Sequence, residues 1–225
     1  GGVCDRFACR SKQALRSLAV EKEEARAAAR ERLRAEAGAE ALPRMTLAVL
    51  PSNDARVVAQ DPERRRGFRA HLEQTVAEAF AAAEPLPEPA PDRGGSSWVG
   101  AACGTCRGHC CRLGHGKKGL VTVTTVRRFL ARRPGLMPEE VVAAYEDRVP
   151  DAVFERSCIY HAEDGCRLPR EMRSGNCNSY LCEGITDAEA EQREERREGF
   201  YLAAFADGRI VRSGRAPDDP DELRG

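Results

Sequence analysis

The chain has 225 residues, of which 41% are apolar, 5% aromatic and 32% charged, and ten are cysteines. This length allows one substantial domain or two small ones, but the low aromatic content predicts that side-chain packing alone is a modest source of stability. The 36 basic and 36 acidic side chains give a formal net charge of zero. No overall field therefore favours nucleic acid or an anionic membrane as the partner.

The chain contains no apolar run long enough to cross a bilayer, and its first residues lack the apolar core of a signal peptide. We therefore expect a cytoplasmic protein that does not enter a membrane and that could bind a protein partner. In a reducing compartment, closely spaced cysteines favour metal ligation over a disulfide framework, which stays the alternative. Cys4 and Cys9, near the start, are interpreted as free or accessory thiols.

Residues 1–83 are predicted to form a helical region with a short β-hairpin. The stretch from Lys12 to Ala41 is rich in strong helix formers and carries a thin apolar stripe. Its alternating charges are typical of a solvated helix face, and a partner helix is the sharper alternative. Thr46–Leu50 and Ala55–Val58 then have the composition of two short strands around a Pro-Ser-Asn-Asp turn.

A second helix is predicted from Asp61, a capping residue followed by a first-turn proline, to about Glu84. Apolar residues recur every four positions and should line one buried face: Phe68, Leu72, Val76 and Phe80. His71 lies beside this stripe and is interpreted as a satisfied packing residue. Residues 84–97 hold four prolines and a Gly-Gly-Ser-Ser run, which predicts a linker, and Trp98 should pack where the next domain begins.

Eight of the ten cysteines lie in the following region, residues 98–214, in two groups. The first group is Cys103, Cys106, Cys110 and Cys111, and the second is Cys158, Cys166, Cys177 and Cys182. Thiolates at such spacing can converge on one zinc ion or iron–sulfur cluster without help from distant chain. All eight are therefore candidate metal ligands. Because Cys110 and Cys111 are neighbours that point in different directions, they could serve two centres, or one could bind a single centre while the other contacts its ligands.

Two short helices are predicted between the groups. The first is capped by Thr124 or Thr125 and ends before Pro134, and the second begins at Pro138. We expect them to fold back so that the two groups meet. An Asp164-Gly165 hairpin should bring Cys158 near Cys166, and a helical turn should let Cys177 and Cys182 face one centre.

The remaining sequence predicts a charged helix over 187–198, a hairpin over 200–211 turned by Asp207-Gly208, and a frayed tail over 215–225. Together these elements predict an α+β fold that is mostly α. It would consist of a helical N-terminal region followed by a small, irregular, metal-stabilised cysteine domain with short helices and hairpins.

With both groups in view, residues 98–185 resemble the zinc- or iron-chelating cysteine-cluster family, whose signature is a CxxCxxCC segment followed by four more cysteines. Here the first segment, Cys103-x2-Cys106-x3-Cys110-Cys111, is one residue longer than the usual form, and a basic residue, Arg112, follows it. In the second half, Leu168-Pro-Arg170 replaces the usual Ile-Tyr, and Arg173-Ser replaces the usual Arg-Pro. The resemblance implies a bound metal and little about chemistry.

Spacing does not choose between zinc and an iron–sulfur cluster, and His109, His115 and His161 are reserve ligands. A thiol–disulfide function for Cys103-x2-Cys106 would need a βαβ context that the sequence lacks. No catalytic triad, phosphate-binding loop or carboxylate pair stands out. The basic, glycine-rich stretch Gly114–Gly119 is interpreted as a mobile loop, with contact to phosphate or RNA as the alternative. Two hypotheses follow: a non-enzymatic metal-binding protein, which we favour, or an iron–sulfur redox enzyme or electron carrier.

Overall fold

A computed structural model of the chain describes residues 7–88 and 97–217, with side chains from residue 20. The fold is α+β and mostly helical, as the sequence predicts. Its helices are α1 (Phe7–Ala37), α2 (Pro62–Ala81), α3 (Ser97–Cys106), α4 (Val123–Arg132), α5 (Pro138–Glu146), α6 (Gly175–Ser179) and α7 (Glu183–Glu195). Its strands are β1 (Met45–Pro51), β2 (Val57–Ala59), β3 (Ala152–Phe154), β4 (His161–Ala162), β5 (Gly165–Cys166), β6 (Gly199–Ala206) and β7 (Arg209–Pro217).

Some of the sequence predictions concern residues that the structure does not describe. Cys4, residues 89–96 of the expected linker and residues 218–225 of the expected tail lie outside the described residues. Among the helices that the structure does describe, none combines the length and the apolar character that a membrane crossing requires.

The chain divides into two compact units. We call Gly1–Ser52 together with Glu183–Gly225 the sheet unit, and Asn53–Cys182 the cysteine unit. Along the sequence, the cysteine unit is inserted between β1 and α7. The sequence prediction places α2 before a linker and the last hairpin with the cysteines, whereas the structure groups α2 with the cysteines and that hairpin with α1 and β1.

The sheet unit is built on a three-stranded sheet with the order β1-β6-β7. β1 runs parallel to β6, and β6 forms an antiparallel hairpin with β7. Asp207 and Gly208 turn this hairpin with φ angles of 48° and 76°, the positive pair that a tight two-residue turn requires. The sequence predicts this hairpin correctly. It also predicts that β1 pairs with β2, whereas β2 pairs with β3 in a separate two-stranded sheet.

Helices α1 and α7 pack against the sheet of the sheet unit. Ala29 and Leu33 of α1 bury their side chains against Leu47 and Tyr201. On the alternate positions of β1, Thr46 Oγ1 donates a hydrogen bond of 2.5 Å to Gln192 of α7. Because successive strand residues point to opposite faces, the two helices contact different faces of the sheet.

Charged side chains of α1 pair with α7. Lys22 Nζ lies 2.7 Å from Glu183 and 2.5 Å from Asp187, and Arg26 lies 2.7 Å from Glu191. For this part of α1, the alternative that its charged face contacts a partner helix is therefore confirmed.

Helices α2, α4 and α5 enclose the core of the cysteine unit. Asp61 caps α2 by accepting from the Glu63 amide, as predicted. The predicted stripe is buried at its first three positions, but Phe80 is 43% exposed and Ala79 is buried in its place. A step of four residues over-rotates a helix of 3.6 residues per turn by about 40°, so the stripe drifts off the buried face after three steps.

Two buried tyrosines join α5 to the segment that carries the second cysteine group. The Tyr160 hydroxyl donates to the Tyr145 carbonyl at 3.1 Å, and the Tyr145 hydroxyl donates to the Met172 carbonyl at 3.1 Å. Cys158 and Cys166 pack against the same core.

Helix α4 is capped by Thr122, and not by Thr124 or Thr125 as predicted, because the Thr122 side chain accepts from the Thr125 amide.

Candidate metal centre

The first cysteine group spans the end of α3 and the turn that follows. Cys103 and Cys106 lie three residues apart in the last helical turn, so they face one side. The Gly108 amide donates to the Cys103 carbonyl at 3.1 Å, and the Arg107 amide donates to the Gly104 carbonyl at 3.1 Å. This is the Schellman pattern that ends a helix with a left-handed residue. The chain then turns back into a 3₁₀ turn, His109–Gly114, which carries the adjacent cysteines.

The two cysteine groups meet, as the sequence predicts. The Cys158 amide donates to the Cys111 carbonyl at 3.0 Å. A Cβ atom added to Gly114 would lie 3.0 Å from the Cβ of Cys158, so these two chain segments are in close contact.

The second group is carried by the β4–β5 hairpin and by α6. Cys166 pairs with His161 across the hairpin. Cys177 lies in α6, whose cap, Ser174, accepts from the Cys177 amide at 3.2 Å. Arg173 donates to the Leu168 carbonyl at 2.7 Å, which ties the segment between the hairpin and α6 to the hairpin.

Electrostatic influence between sulfur atoms identifies a first set of four thiols. Cys103 is exposed as a residue, yet the protein packed around its thiol raises the pKa to about 12. Three neighbouring sulfurs add to this shift, those of Cys106, Cys110 and Cys182. Burial also raises the pKa of Cys106, with further contributions from Cys110 and Cys182. Since such effects weaken with distance, these four thiols are neighbours, and we call them set A.

A second set is identified in the same way. Burial raises the pKa of Cys158 to about 11, and the sulfurs of Cys166 and Cys177 add to the shift. The pKa of Cys177 is also raised, by burial first, then by the sulfur of Cys166, and to a smaller degree by the sulfur of Cys110 in set A. For Cys111 the main cause is a hydrogen bond to Cys110, followed by burial and the sulfurs of Cys158 and Cys166. We call Cys111, Cys158, Cys166 and Cys177 set B.

The sets are interleaved along the chain. Set A takes three cysteines from the first group and Cys182 from the second, while set B takes three from the second group and Cys111 from the first. The sets adjoin where the Cys111 thiol hydrogen-bonds Cys110, and this hydrogen bond lowers the pKa of Cys110. The sequence prediction that Cys177 and Cys182 face one centre differs from this grouping, which assigns them to different sets.

None of the eight clustered cysteines is joined in a disulfide in the part of the chain that the structure describes. Within residues 7–88 and 97–217, no three side chains of Cys, His, Asp or Glu already converge so that they could hold a metal ion. Loading zinc would therefore require the sulfurs of a set to close to about 2.3 Å from a common point. Because most of these thiols have raised pKa values, loading would also release protons, and affinity would fall at lower pH.

The histidines that the sequence offers as reserve ligands differ in environment. His115 is exposed and His109 is half-buried. His161 is 2% exposed, and its Nδ1 lies 2.7 Å from the Ser157 hydroxyl. Burial lowers the pKa of His161 to about 4, although the neighbouring Arg107 backbone opposes this shift. At least one ring nitrogen of His161, Nδ1, is therefore engaged by a protein group.

His71 behaves as the sequence predicts for a packing residue. Its Nε2 lies 3.0 Å from the carbonyl oxygen of Val121, a residue that belongs to neither cysteine group.

The structure argues against thiol–disulfide exchange at Cys103 and Cys106. An attacking thiolate needs a lowered pKa, whereas the pKa values of both thiols are raised. The pair also lies at the C-terminal end of α3, where the helix dipole disfavours a negative charge.

Asn53 is a residue of this region for which the sequence indicates no role. It is fully buried, its backbone amide donates to the Cys106 carbonyl at 2.9 Å, and its side-chain amide donates to the Arg107 carbonyl at 3.0 Å. No local pattern marks such a residue, because its partners lie far away along the chain.

A scan against protein-family models, a search of curated proteins and a search of solved structures each return no match to this chain. The resemblance to the cysteine-cluster family accordingly stays a prediction from the cysteine spacing.

Proposed function

We propose that this protein binds metal through its eight clustered cysteines, as two four-thiolate centres that correspond to set A and set B. Each centre would hold a zinc ion or an iron–sulfur cluster, both of which accept four cysteine ligands. The metal would stabilise the cysteine unit, which could then present a surface to a protein partner. The observation that carries this proposal is the grouping of the eight sulfurs into two interleaved sets of four.

The donor set fits such metals chemically. Thiolates are soft ligands that favour zinc and iron–sulfur clusters over magnesium or calcium. The sulfurs are crowded and partly withdrawn from water, so as free thiols they resist ionisation. A bound cation would compensate the negative charges that form when these thiols lose their protons.

Interleaving gives the metals a physical role in folding. A centre in set A would join the end of α3 to Cys182, and a centre in set B would join Cys111 to the β4–β5 hairpin and α6. Each cross-link closes long loops, and cross-links of this kind reduce the conformational freedom of the unfolded chain. Metal binding would thus supply stability that the sparse aromatic content of the chain does not.

The first experiment identifies the metal. The full chain is purified without oxygen, its visible spectrum is recorded, and zinc, iron and sulfide are measured per chain. A colourless protein with stoichiometric zinc excludes the iron–sulfur hypothesis, and a brown, reducible protein excludes the zinc one. Protein that retains neither metal after reconstitution with each would refute the proposal.

The second experiment tests the grouping with paired substitutions. Cys166→Ser with Cys177→Ser removes two ligands of set B, so one centre should remain. Cys177→Ser with Cys182→Ser removes one ligand from each set, so both centres should be lost. Cys9→Ser is the control and should keep both. If the Cys177/Cys182 pair costs only one centre, the interleaved assignment is wrong.

A further inference from the structure

The turn between Cys106 and Cys110 is held by two buried side chains from outside the first cysteine group. The Asn53 side-chain amide donates to the Arg107 carbonyl at 3.0 Å, and the Asn53 backbone amide donates to the Cys106 carbonyl at 2.9 Å. His161, from the β4–β5 hairpin, packs against the same turn, because a Cβ added to Gly108 would lie 2.5 Å from its Nε2.

The His161 ring is fixed from several directions. Its Nδ1 lies 2.7 Å from the Ser157 hydroxyl, and its centroid lies 4.7 Å from that of the Phe154 ring. Arg64 donates in turn to the Ser157 carbonyl. These contacts fix the orientation of the imidazole.

The turn needs such support because its backbone is unfavourable. Arg107 has a φ of 53° and Gly108 a φ of 60°, and a residue with a Cβ pays for the left-handed region with about 1–2 kcal/mol. A Cβ on Gly108 would lie 2.5 Å from His161 Nε2, so the ring lies directly against the turn. If the turn relaxed, the distance between the Cys103–Cys106 pair and Cys110 would change.

We infer that Asn53 and His161 are positioning residues for the first cysteine group, and that neither is a metal ligand. Asn53 holds the turn through the Arg107 carbonyl and His161 packs against it at Gly108, so that Cys103, Cys106 and Cys110 are presented together. This inference rests on the proposed function. Residues that orient metal ligands typically change metal affinity by roughly 10–100-fold when they are replaced.

The test uses Co²⁺ added to the reduced, metal-free full chain. Its absorption spectrum reports the ligands, and competition with a chelator reports affinity and release. His161→Leu and Asn53→Ala should release Co²⁺ about 10–100-fold more readily, with the four-sulfur spectrum of the wild type unchanged. His161→Gln, which keeps a polar partner for the Ser157 hydroxyl and fills more of the space beside Gly108 than a small residue would, should restore most of the affinity.

The matched control is His71→Leu. His71 is also a packed histidine, but its Nε2 faces the backbone carbonyl of Val121. The His71 variant should bind Co²⁺ like the wild type, even if it is somewhat less stable.

Two results would overturn the inference alone. Either His161→Leu and Asn53→Ala bind Co²⁺ as the His71 control does, or the His161 variants change the Co²⁺ spectrum, which would make His161 a ligand. A wild-type chain that binds no metal would instead refute the proposed function, and the inference with it.

Discussion

Gly108 offers the sharpest test of the crowding at the Cys106–Cys110 turn. An alanine there would place its Cβ 2.5 Å from His161 Nε2, 3.0 Å from His161 Cε1 and 3.3 Å from the Cys111 sulfur. The first of these contacts is far shorter than van der Waals separation. Because the ring is buried and held by Ser157, it cannot swing away freely. We therefore expect Gly108→Ala to destabilise the cysteine unit.

The magnitude has two parts. A φ of 60° costs alanine about 1–2 kcal/mol relative to glycine. Forcing an extra methyl group into a packed site costs about 1–3 kcal/mol more. The sum is about 2–5 kcal/mol. Gly116 separates the parts, since its φ is 69° but no atom lies within 4 Å of the position of its Cβ. Gly116→Ala should therefore show the backbone cost alone.

Trp98 provides the assay. It is the one tryptophan of the chain, it lies in α3 and it is 1% exposed, so its fluorescence reports unfolding of the cysteine unit. Urea titrations of the reduced, metal-free variants should give a lower midpoint for Gly108→Ala than for Gly116→Ala at similar slope. Equal midpoints would show that the ring does not crowd the turn and would refute the packing argument.

Two further predictions concern the sheet unit. At Glu36, burial opposes ionisation, but hydrogen bonds from Arg32, Ser213 and Tyr201 outweigh it and lower the pKa below the ordinary 4.5. Its ionised form therefore stabilises the folded state above about pH 4.5, and this contribution is lost as the pH falls through the lower folded pKa. At pH 7, Glu36→Gln should reduce the protection of the β6 amides against hydrogen exchange, and the further loss of protection in acid should be smaller than in the wild type. The exposed Glu31→Gln should change neither quantity. If the Glu36 variant and the wild type showed the same dependence of protection on pH, the prediction would be contradicted. A Cβ on Gly184 would lie 2.0 Å from the Val49 carbonyl oxygen. Gly184→Ala should therefore destabilise the sheet unit by about 3 kcal/mol or more, the upper end of the usual cost of overpacking. At Gly100 in α3 no atom lies within 4 Å of the position of an added Cβ, so Gly100→Ala should stabilise the cysteine unit by about 0.5–1 kcal/mol in the same urea titrations. A Gly184→Ala variant as stable as the wild type would contradict the close packing of α7 on β1.

The sequence determined the features whose causes are local. Asp61 and Pro62 mark the start of α2 because a cap and a first-turn proline act within one helical turn. Asp207 and Gly208 mark the turn of the last hairpin because they accept positive φ angles. The cysteines were recognisable as candidate ligands because their spacing is a property of the chain itself.

Which distant segments meet can be seen only in the folded chain. β1 pairs with β6, more than a hundred residues later, and not with the neighbouring β2, because the parallel pairing buries both faces of the strand against helices. A hydrophobic pattern says that a strand will be buried but does not name its partner. The division of the chain into an inserted cysteine unit and a surrounding sheet unit follows from that pairing.

The same limit applies to the candidate site. Sequence spacing suggests that Cys177 and Cys182 act together, whereas their strongest sulfur neighbours in the structure differ, being Cys166 for Cys177 and the Cys103–Cys106 pair for Cys182. The role of Asn53 depends on a carbonyl that lies in another segment of the chain. The number and spacing of the thiols can be taken from the sequence. Which thiols become neighbours depends on the fold, because it follows from loop closures that no local hydrogen bond or periodicity specifies.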